Sequence, residues 1–398
     1  MHDATEWADA RLIAHAAGAS LPRQSESLAI ANAVGRTLAT AIVASSPLPA
    51  HASSAMDGWV IAGDGPWMLG PPILAGDAPC SEPLRTGTAR AIATGAIVPP
   101  GTLGVLRSEH GVTRRRSTTE LLERNERARP SEPRLGEHIR PAGEETGDGE
   151  VLIAAGSILT PPRIGLAAAT GNDRLQVAVR PDVDVVVLGT EVVARGIPRP
   201  GEVRDAFTPQ FPAVLGALGL RLTDLRQQSD DLDATIHAFE SATAPLLIST
   251  GGSAHGPADN ARAALEAVSA QILIDGVRMR PGHPVMLARR ADGRLILCLP
   301  GNPLAAMIGI ASLGAAIADG MLGRPLGKLG RARLAADIPN PGHNTRLVTV
   351  VETDAGVVPT AHQGSGMLRG LADADGVAVI KPGGATADDT VRMLPLPW

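Results

Sequence analysis

Three stretches decide how this chain folds: Leu246-Leu247-Ile248-Ser249-Thr250-Gly251-Gly252-Ser253, Arg280-Pro281-Gly282-His283-Pro284, and Leu295-Ile296-Leu297-Cys298-Leu299-Pro300-Gly301-Asn302-Pro303. The first and third are apolar runs of strand length that end in glycine or proline turns. The second precedes such a run, Val285 to Ala288. Runs this short and apolar read as parallel strands buried on both faces. Glycine lets the backbone approach a ligand with no Cβ in the way. Open α/β sheets bind ligands at the carboxyl ends of their strands. The segment therefore predicts a pocket, and its turns suit an anion such as phosphate.

Outward from that segment, strands and helices alternate across residues 181–326: Val183 to Leu188 as strand, Phe207 to Leu218 as helix ending at Gly219, Asp230 to Ala242 and Asp259 to Val268 as helices, and Pro303 to Leu322 as a long apolar helix. Val285 to Ala288 and Leu295 to Leu299 form a hairpin in this reading. The alternation predicts a sheet covered on both faces, a three-layer α/β domain. Residues 327–398 read as short strands at the spacing of a small C-terminal β-barrel. Residues 49–135 read as a β-rich inserted domain. Residues 1–48 and 136–180 are assigned to a discontinuous helical and extended N-terminal domain, with helices at Thr5 to Ala17, Ser25 to Val43, and Pro161 or Pro162 to Gly171. Arg114-Arg115-Arg116 invites a nucleic-acid reading, but Glu120, Glu123 and Glu126 neutralise the same stretch, which favours a solvated hairpin or loop.

Composition narrows the function. A chain of 398 residues exceeds one ordinary core, and 44% hydrophobic residues supply packed domains. The net charge of −5 argues against nucleic-acid partners, which require a basic surface. Aromatic residues make up 2% and Tyr is absent, so stacking platforms for single strands are not expected. Cys80 and Cys298 form no CxxC motif, and Cys298 reads as a small buried hydrophobe. The acidic start Met1-His2-Asp3 lacks the pattern of a signal peptide, and no apolar stretch is expected to span a membrane. These features predict a cytoplasmic protein with no nucleic-acid or membrane partner.

The candidate chemistry sits in the turns. Ser249, Gly251, Gly252 and Ser253 end a strand and lead toward a helix, where backbone N–H groups can form an anion nest. Pro300, Gly301, Asn302 and Pro303 do the same after the next strand. Arg280, beside His283, suits bidentate contact with a phosphate. Acids recur after strands and turns: Asp57, Glu145, Glu191, Asp205, Asp230 and Asp259. Any one of them reads equally as a cap or a solvated loop acid. Convergence of several on an anion site would require a cation, and Mg²⁺ is the hard cation that carboxylates and phosphates share. Thr94-Gly95-Ala96 reads, from spacing alone, as a structural turn.

Taken in order, these segments resemble the MoeA-type molybdopterin molybdenumtransferases, the family that includes the C-terminal region of gephyrin. The resemblance rests on Ser54-Ala55-Met56-Asp57-Gly58-Trp59, Ala93-Thr94-Gly95-Ala96, Ile139-Arg140-Pro141-Ala142-Gly143-Glu144-Glu145 and Gly201-Glu202-Val203-Arg204-Asp205, then on the three stretches quoted first and on Gly364-Ser365-Gly366-Met367-Leu368. It implies an elongated four-domain subunit and a homodimer whose active site lies between the α/β domain of one subunit and the β-rich insertion of the other. It also implies the reaction: molybdate enters the dithiolene of adenylylated molybdopterin, and AMP is released with the help of Mg²⁺. Asp57, Glu191, Asp230 and Asp259 would be catalytic, with Glu191, Asp230 and Asp259 holding the metal. Thr94, Ser249, Gly251, Gly252, Ser253, Arg280, Pro300, Gly301, Asn302 and Pro303 would bind the pterin and molybdate. Molybdopterin adenylyltransferase and recipient molybdoenzymes are the further partners it suggests. The chain departs from the family pattern at Ala254, Pro257, Gly276, Phe207 and Glu145, and Arg280 stands for a usual Lys. Those departures leave open an alternative, a non-catalytic protein that binds molybdopterin or its molybdenum form for delivery.

Overall fold

The computed structural model describes residues 4–116, 118–252 and 260–398. The chain divides into two compact units, one of Met1–Thr40, Ala155–Pro161 and Arg174–Trp398, the other of Ala41–Ala154 and Pro162–Asp173.

The first unit opens with helix α1 (Trp7–Ala19). Its strands continue as β1 (Asp182–Leu188), β2 (Arg221–Gln228), β3 (Leu246–Thr250), β4 (Gln271–Asp275), β5 (Val277–Arg280), β6 (Met286–Arg289) and β7 (Leu295–Leu299). The helices between and after them are α2 (Phe211–Leu218), α3 (Leu232–Ser241), α4 (Asn260–Ala267) and α5 (Pro303–Met321), the last with a π-helical turn at Ile310–Gly314. Six of these strands form one sheet in the order β2-β1-β3-β7-β6-β4. The pairs β2–β1, β1–β3 and β3–β7 are parallel, and β6 runs antiparallel to both β7 and β4.

Successive residues of the central strands feed opposite faces, as a period of two requires. Val183, Val185, Val187, Ile248 and Leu297 enter a core shared with α1, α2 and α5. Val186, Leu188, Leu247, Ile296 and Cys298 enter a second core with α3 and α4. Each fully buried Val, Leu or Ile contributes about 1.5–3 kcal/mol relative to exposure. This is the three-layer α/β arrangement expected, and Cys298 is the small buried residue its setting suggested.

The first helical layer is unusually close-packed. A Cβ on Gly18 of α1 would lie 2.2 Å from the carbonyl oxygen of Ile317 in α5, and a Cβ on Gly320 would lie 2.2 Å from that of His15. The Trp7 indole donates to the Ser312 hydroxyl at 2.6 Å, which ties α1 to the π-turn of α5. The 19-residue α5 is long and apolar enough to cross a membrane, which corrects the expectation that no stretch reaches that length. Its apolar window is 89% buried inside the protein, so it serves as a core helix here.

The second sheet of this unit contains β5 together with C-terminal strands β8 (Gly330–Arg333), β9 (Thr345–Thr353), β10 (Gly356–Pro359), β11 (Gly376–Ile380) and β12 (Thr390–Leu394). It runs from Thr5–Glu6 through β5, β9, β11 and β12 to β8, with β10 on β9. It curls until a bridge between Leu334, just after β8, and Val357 of β10 closes its C-terminal strands around a core of Leu334, Ile338, Val348, Val350, Ala378 and Ile380. This is the small C-terminal barrel expected, its sheet extended by Thr5–Glu6 and β5 from outside the C-terminal stretch.

Several expectations need correction. Ser25 to Val43 is not a helix: Ser25–Ala29 is a strand paired antiparallel with Arg174–Ala178, and a short 3-10 turn at Ile30–Asn32 follows. The small residues of this stretch fit either periodicity, and the partner strand 145 residues downstream in register (Arg174 opposite Ala29) decides between them. Strands β2 and β4 were not expected. β2 is an edge strand of mixed polarity, Arg221-Leu222-Thr223-Asp224-Leu225-Arg226-Gln227-Gln228, and so lacks an apolar run.

The second unit carries a six-stranded sheet ordered Gly104–Arg107, Gly58–Ala62, Thr88–Ile92, Trp67–Ile73, Thr119–Arg124, Gly111–Arg116. Its last two strands are the solvated hairpin anticipated for the arginine-rich stretch. Glu123 pairs with Arg114 at 3.3 Å and with Arg116 at 3.1 Å.

Candidate functional site

The parallel strands β1, β3 and β7 end together, so Leu188, Thr250 and Leu299 deliver three turns to one edge of the sheet. The turn after β3 fits there only because its residue is glycine. Gly251 adopts φ +90°, and a Cβ on it would lie 2.5 Å from the Leu188 carbonyl oxygen. Its N–H is used by the Leu299 carbonyl at 3.0 Å, so any anion nest here begins at Gly252, whose φ is +60°. Ser253 and Asp259 lie outside the described residues.

Two cavities open at this edge, and both touch the turn after β7. The first, about 580 Å³, is lined mainly by acids: Glu191 from the turn after β1, Asp230 from the turn after β2, and Asp205, together with Gly251, Gly252, Pro303 and one cation, Arg204, which donates to the Val193 carbonyl at 3.0 Å. The Thr190 hydroxyl donates to the Asp230 carboxylate at 2.7 Å and fixes its direction. Asp205 has a different job. Its carboxylate accepts the N–H groups of Phe207 and Thr208 at 2.8 and 3.0 Å and is 6% exposed, so it shapes the loop. Phe207 stacks on Phe211 with ring centroids 5.9 Å apart and forms an apolar wall of the same cavity.

The second cavity, about 420 Å³, is basic. Arg280 of β5 and Arg346 of β9 are direct register partners on neighbouring parallel strands, and both line it. Pro300, His283, Asn340 and Ser365 complete much of the wall. No group among the described residues pairs with the Arg280 guanidinium, while Arg346 donates to the Pro339 carbonyl at 2.5 Å. Two cations held side by side with no carboxylate between them favour an oxyanion ligand.

Gly301 and Asn302 line both cavities. The stretch Pro300–Pro303 is therefore the partition between an acidic chamber and a basic one. The Asn302 side chain makes no capping bond to the start of α5, which leaves its amide available at the partition. Among the expected residues, Glu191, Asp230, Gly251, Gly252, Arg280, Pro300, Gly301, Asn302 and Pro303 come together. Ser249 does not: it is wholly buried, lines neither cavity, and its hydroxyl has no hydrogen-bond partner. Arg346, Asn340 and Ser365 were not singled out by sequence reasoning. Ser365 belongs to a quoted motif, whereas Arg346 is picked out only by its register with Arg280.

Asp57 and Thr94 belong to the second unit, where Gly58 pairs with Ile92 and so brings their flanking residues to one end of the sheet. The Thr94 N–H and hydroxyl both donate to Asp57, at 2.7 and 2.9 Å. The N–H first, and the hydroxyl second, hold the Asp57 carboxyl below the usual carboxylate range. Thr94 is thus more than a structural turn, because its N–H and hydroxyl together hold the Asp57 carboxylate in place. Replacing Thr94 with Val removes the hydroxyl bond and keeps the N–H. The Asp57 pKa then rises part of the way back, as carboxylate ¹³C shifts followed against pH would report. An unmoved titration would show that the hydroxyl does not act on Asp57.

Comparison with known proteins agrees with this architecture. Residues 4–171 match the family model for the MoeA N-terminal region (domain I and II), residues 184–318 that for a probable molybdopterin binding domain, and residues 331–396 that for the MoeA C-terminal region (domain IV). A molybdopterin molybdenumtransferase of Synechococcus elongatus is 31% identical over 73% of this chain and 74% of its own length. One from Staphylococcus aureus is 30% identical over 63% of this chain and 61% of its own length. The crystal structure of a molybdopterin biosynthesis moeA protein from Pyrococcus horikoshii OT3 superposes with a TM-score of 0.78 over 98% of this chain and 99% of that one, at 19% identity, and so shares the fold. With matches to all three regions in order and 31% identity across most of two chains, this protein belongs to the MoeA family of molybdopterin molybdenumtransferases.

Proposed function

We propose that the chain inserts molybdate into the dithiolene of adenylylated molybdopterin and releases AMP, acting as a cytoplasmic homodimer. The observation that carries this reading is the partition at Gly301–Asn302, with Arg280, Arg346 and no carboxylate on one side, and Glu191, Asp205 and Asp230 outnumbering Arg204 on the other. Molybdate is a tetrahedral oxyanion, and the Arg280–Arg346 pair suits it. The adenylylated substrate carries phosphates, which would lie toward Gly252 and the acidic chamber. A ligand spanning the partition would bring its sulfur atoms to the oxyanion.

The reading requires Mg²⁺. The described residues contain no group of three or more His, Cys, Asp or Glu side chains that could hold a metal alone. Mg²⁺ commonly uses one or two carboxylates, with water and substrate phosphates completing its shell. Glu191 and Asp230 fit that pattern: both line one chamber, and Thr190 is the one described donor to the Asp230 side chain. Bound there, Mg²⁺ would offset the charge of the phosphates. Asp259 would join them in this proposal. The protein's own groups then have distinct tasks. Arg280 and Arg346 hold the oxyanion, Asn302 orients what crosses the partition, and Phe207 excludes water.

Purified protein given adenylylated molybdopterin, molybdate and Mg²⁺ is expected to release AMP and form the metallated cofactor. Asp230→Asn is expected to slow AMP release by about 100-fold, the scale of losing a positioned acid–base or charge-holding group. Phe207, an apolar wall in place of a polar contact, favours the delivery alternative. Tight retention of the adenylylated pterin with no AMP formed would overturn transfer and establish delivery.

A further inference from the structure

A second basic cavity lies on the outer face of the C-terminal sheet. Register places Arg331 of β8 directly opposite Arg392 of β12, and Arg392 opposite Val379 of β11. Lys381 follows directly after the end of β11 and lines the same cavity. Arg331, Lys381 and Arg392 line one cavity of about 420 Å³ with Val379, Gly384 and Asp389. None of these residues lines the Arg280 cavity.

The three cations have no hydrogen-bond or ion-pair partner among the described residues, in contrast to their neighbours. Arg333, two positions along β8, pairs with Asp388 at 2.5 Å. Asp389, the one acid in the cavity wall, is occupied by the N–H and hydroxyl of Thr386 at 2.7 and 3.0 Å. Like charges directly opposite on antiparallel strands repel and reduce stability. In a chain of net charge −5 such an accumulation is not the overflow of a basic surface. The same device, two arginines in direct register facing a cavity, builds the basic chamber at Arg280 and Arg346. Its volume lies within the range of small-molecule sites.

We propose that this cavity is a second anion site that takes a phosphate-class dianion, either free phosphate or the phosphate group of a small phosphorylated molecule. The inference rests on the C-terminal sheet alone and not on the transfer reaction.

The test uses the full chain carrying Arg280→Ala and Arg346→Ala, so that the first basic cavity is silent. Calorimetric titration at low ionic strength with inorganic phosphate is expected to show one site. Adding Arg331→Ala and Arg392→Ala is expected to weaken it by about tenfold or more for each arginine, the scale of a hydrogen bond to a charged group. Phosphate should raise the melting temperature of the first variant and not of the second. Tighter binding of glycerol phosphate than of inorganic phosphate assigns the site to a phosphorylated molecule, and the reverse order assigns it to the free ion. Absence of a site in the Arg280→Ala/Arg346→Ala background, or one that chloride matches or that survives loss of Arg331 and Arg392, overturns the proposal.

Discussion

Gly320→Val is expected to destabilise the first unit by about 3 kcal/mol or more, at the upper end of overpacking effects. The first added carbon would sit 2.2 Å from the His15 carbonyl oxygen and 2.5 Å from the Ala19 N–H. Both are backbone atoms of α1, so no side chain can swing aside. The helices must separate, and the contacts of Trp7, Ala14 and Ala17 with α5 loosen with them. Gly216→Ala provides the contrast. It lies within α2 with nothing within 4 Å of the new methyl, so the helix gains about 0.5–1 kcal/mol. Urea midpoints should move in opposite directions for the two variants. A Gly320→Val protein as stable as the parent would mean that α1 and α5 do not cross as closely as described.

Arg280→Ala is expected to weaken molybdate binding by roughly 10- to 100-fold, from the loss of charged hydrogen bonds. Removing Arg346 as well should lower it further, though by less than the product of the two, because register partners share one ligand. Arg280→Lys keeps the charge and gives up the planar fork, so an intermediate loss is expected. Binding of adenylylated molybdopterin should fall less than that of molybdate, since Gly252, Glu191 and Asp230 lie in the other chamber. Equal losses for both ligands in equilibrium dialysis would argue against a divided site.

The sequence reveals some of this architecture and hides the rest for physical reasons. Leu246–Thr250 and Leu295–Leu299 are legible because both faces are buried, which leaves continuous apolar runs closed by glycine or proline. The Pro300–Pro303 turn is legible because Pro suits the first turn of α5. Arg221–Gln228 is hidden because an edge strand needs only a scattered apolar face. Arg346 is hidden for another reason. Nothing local distinguishes it from any strand arginine, and its role follows from a pairing with Arg280 across 66 residues. Asp205 illustrates the reverse case. A loop acid in a family motif looks chemical, yet two backbone N–H groups consume it.

The chain leaves the central sheet at the end of β4, turns at Gly276 and joins the C-terminal sheet as β5. The basic chamber is therefore shared property: Pro300 and Asn302 come from the α/β sheet, and both of its arginines come from the other. A chain ending after α5 would retain every carboxylate of the acidic chamber and forfeit Arg346 together with the strand that anchors Arg280. Chimeras that exchange the C-terminal sheet between relatives would consequently transplant anion preference while leaving the acids of the host in place.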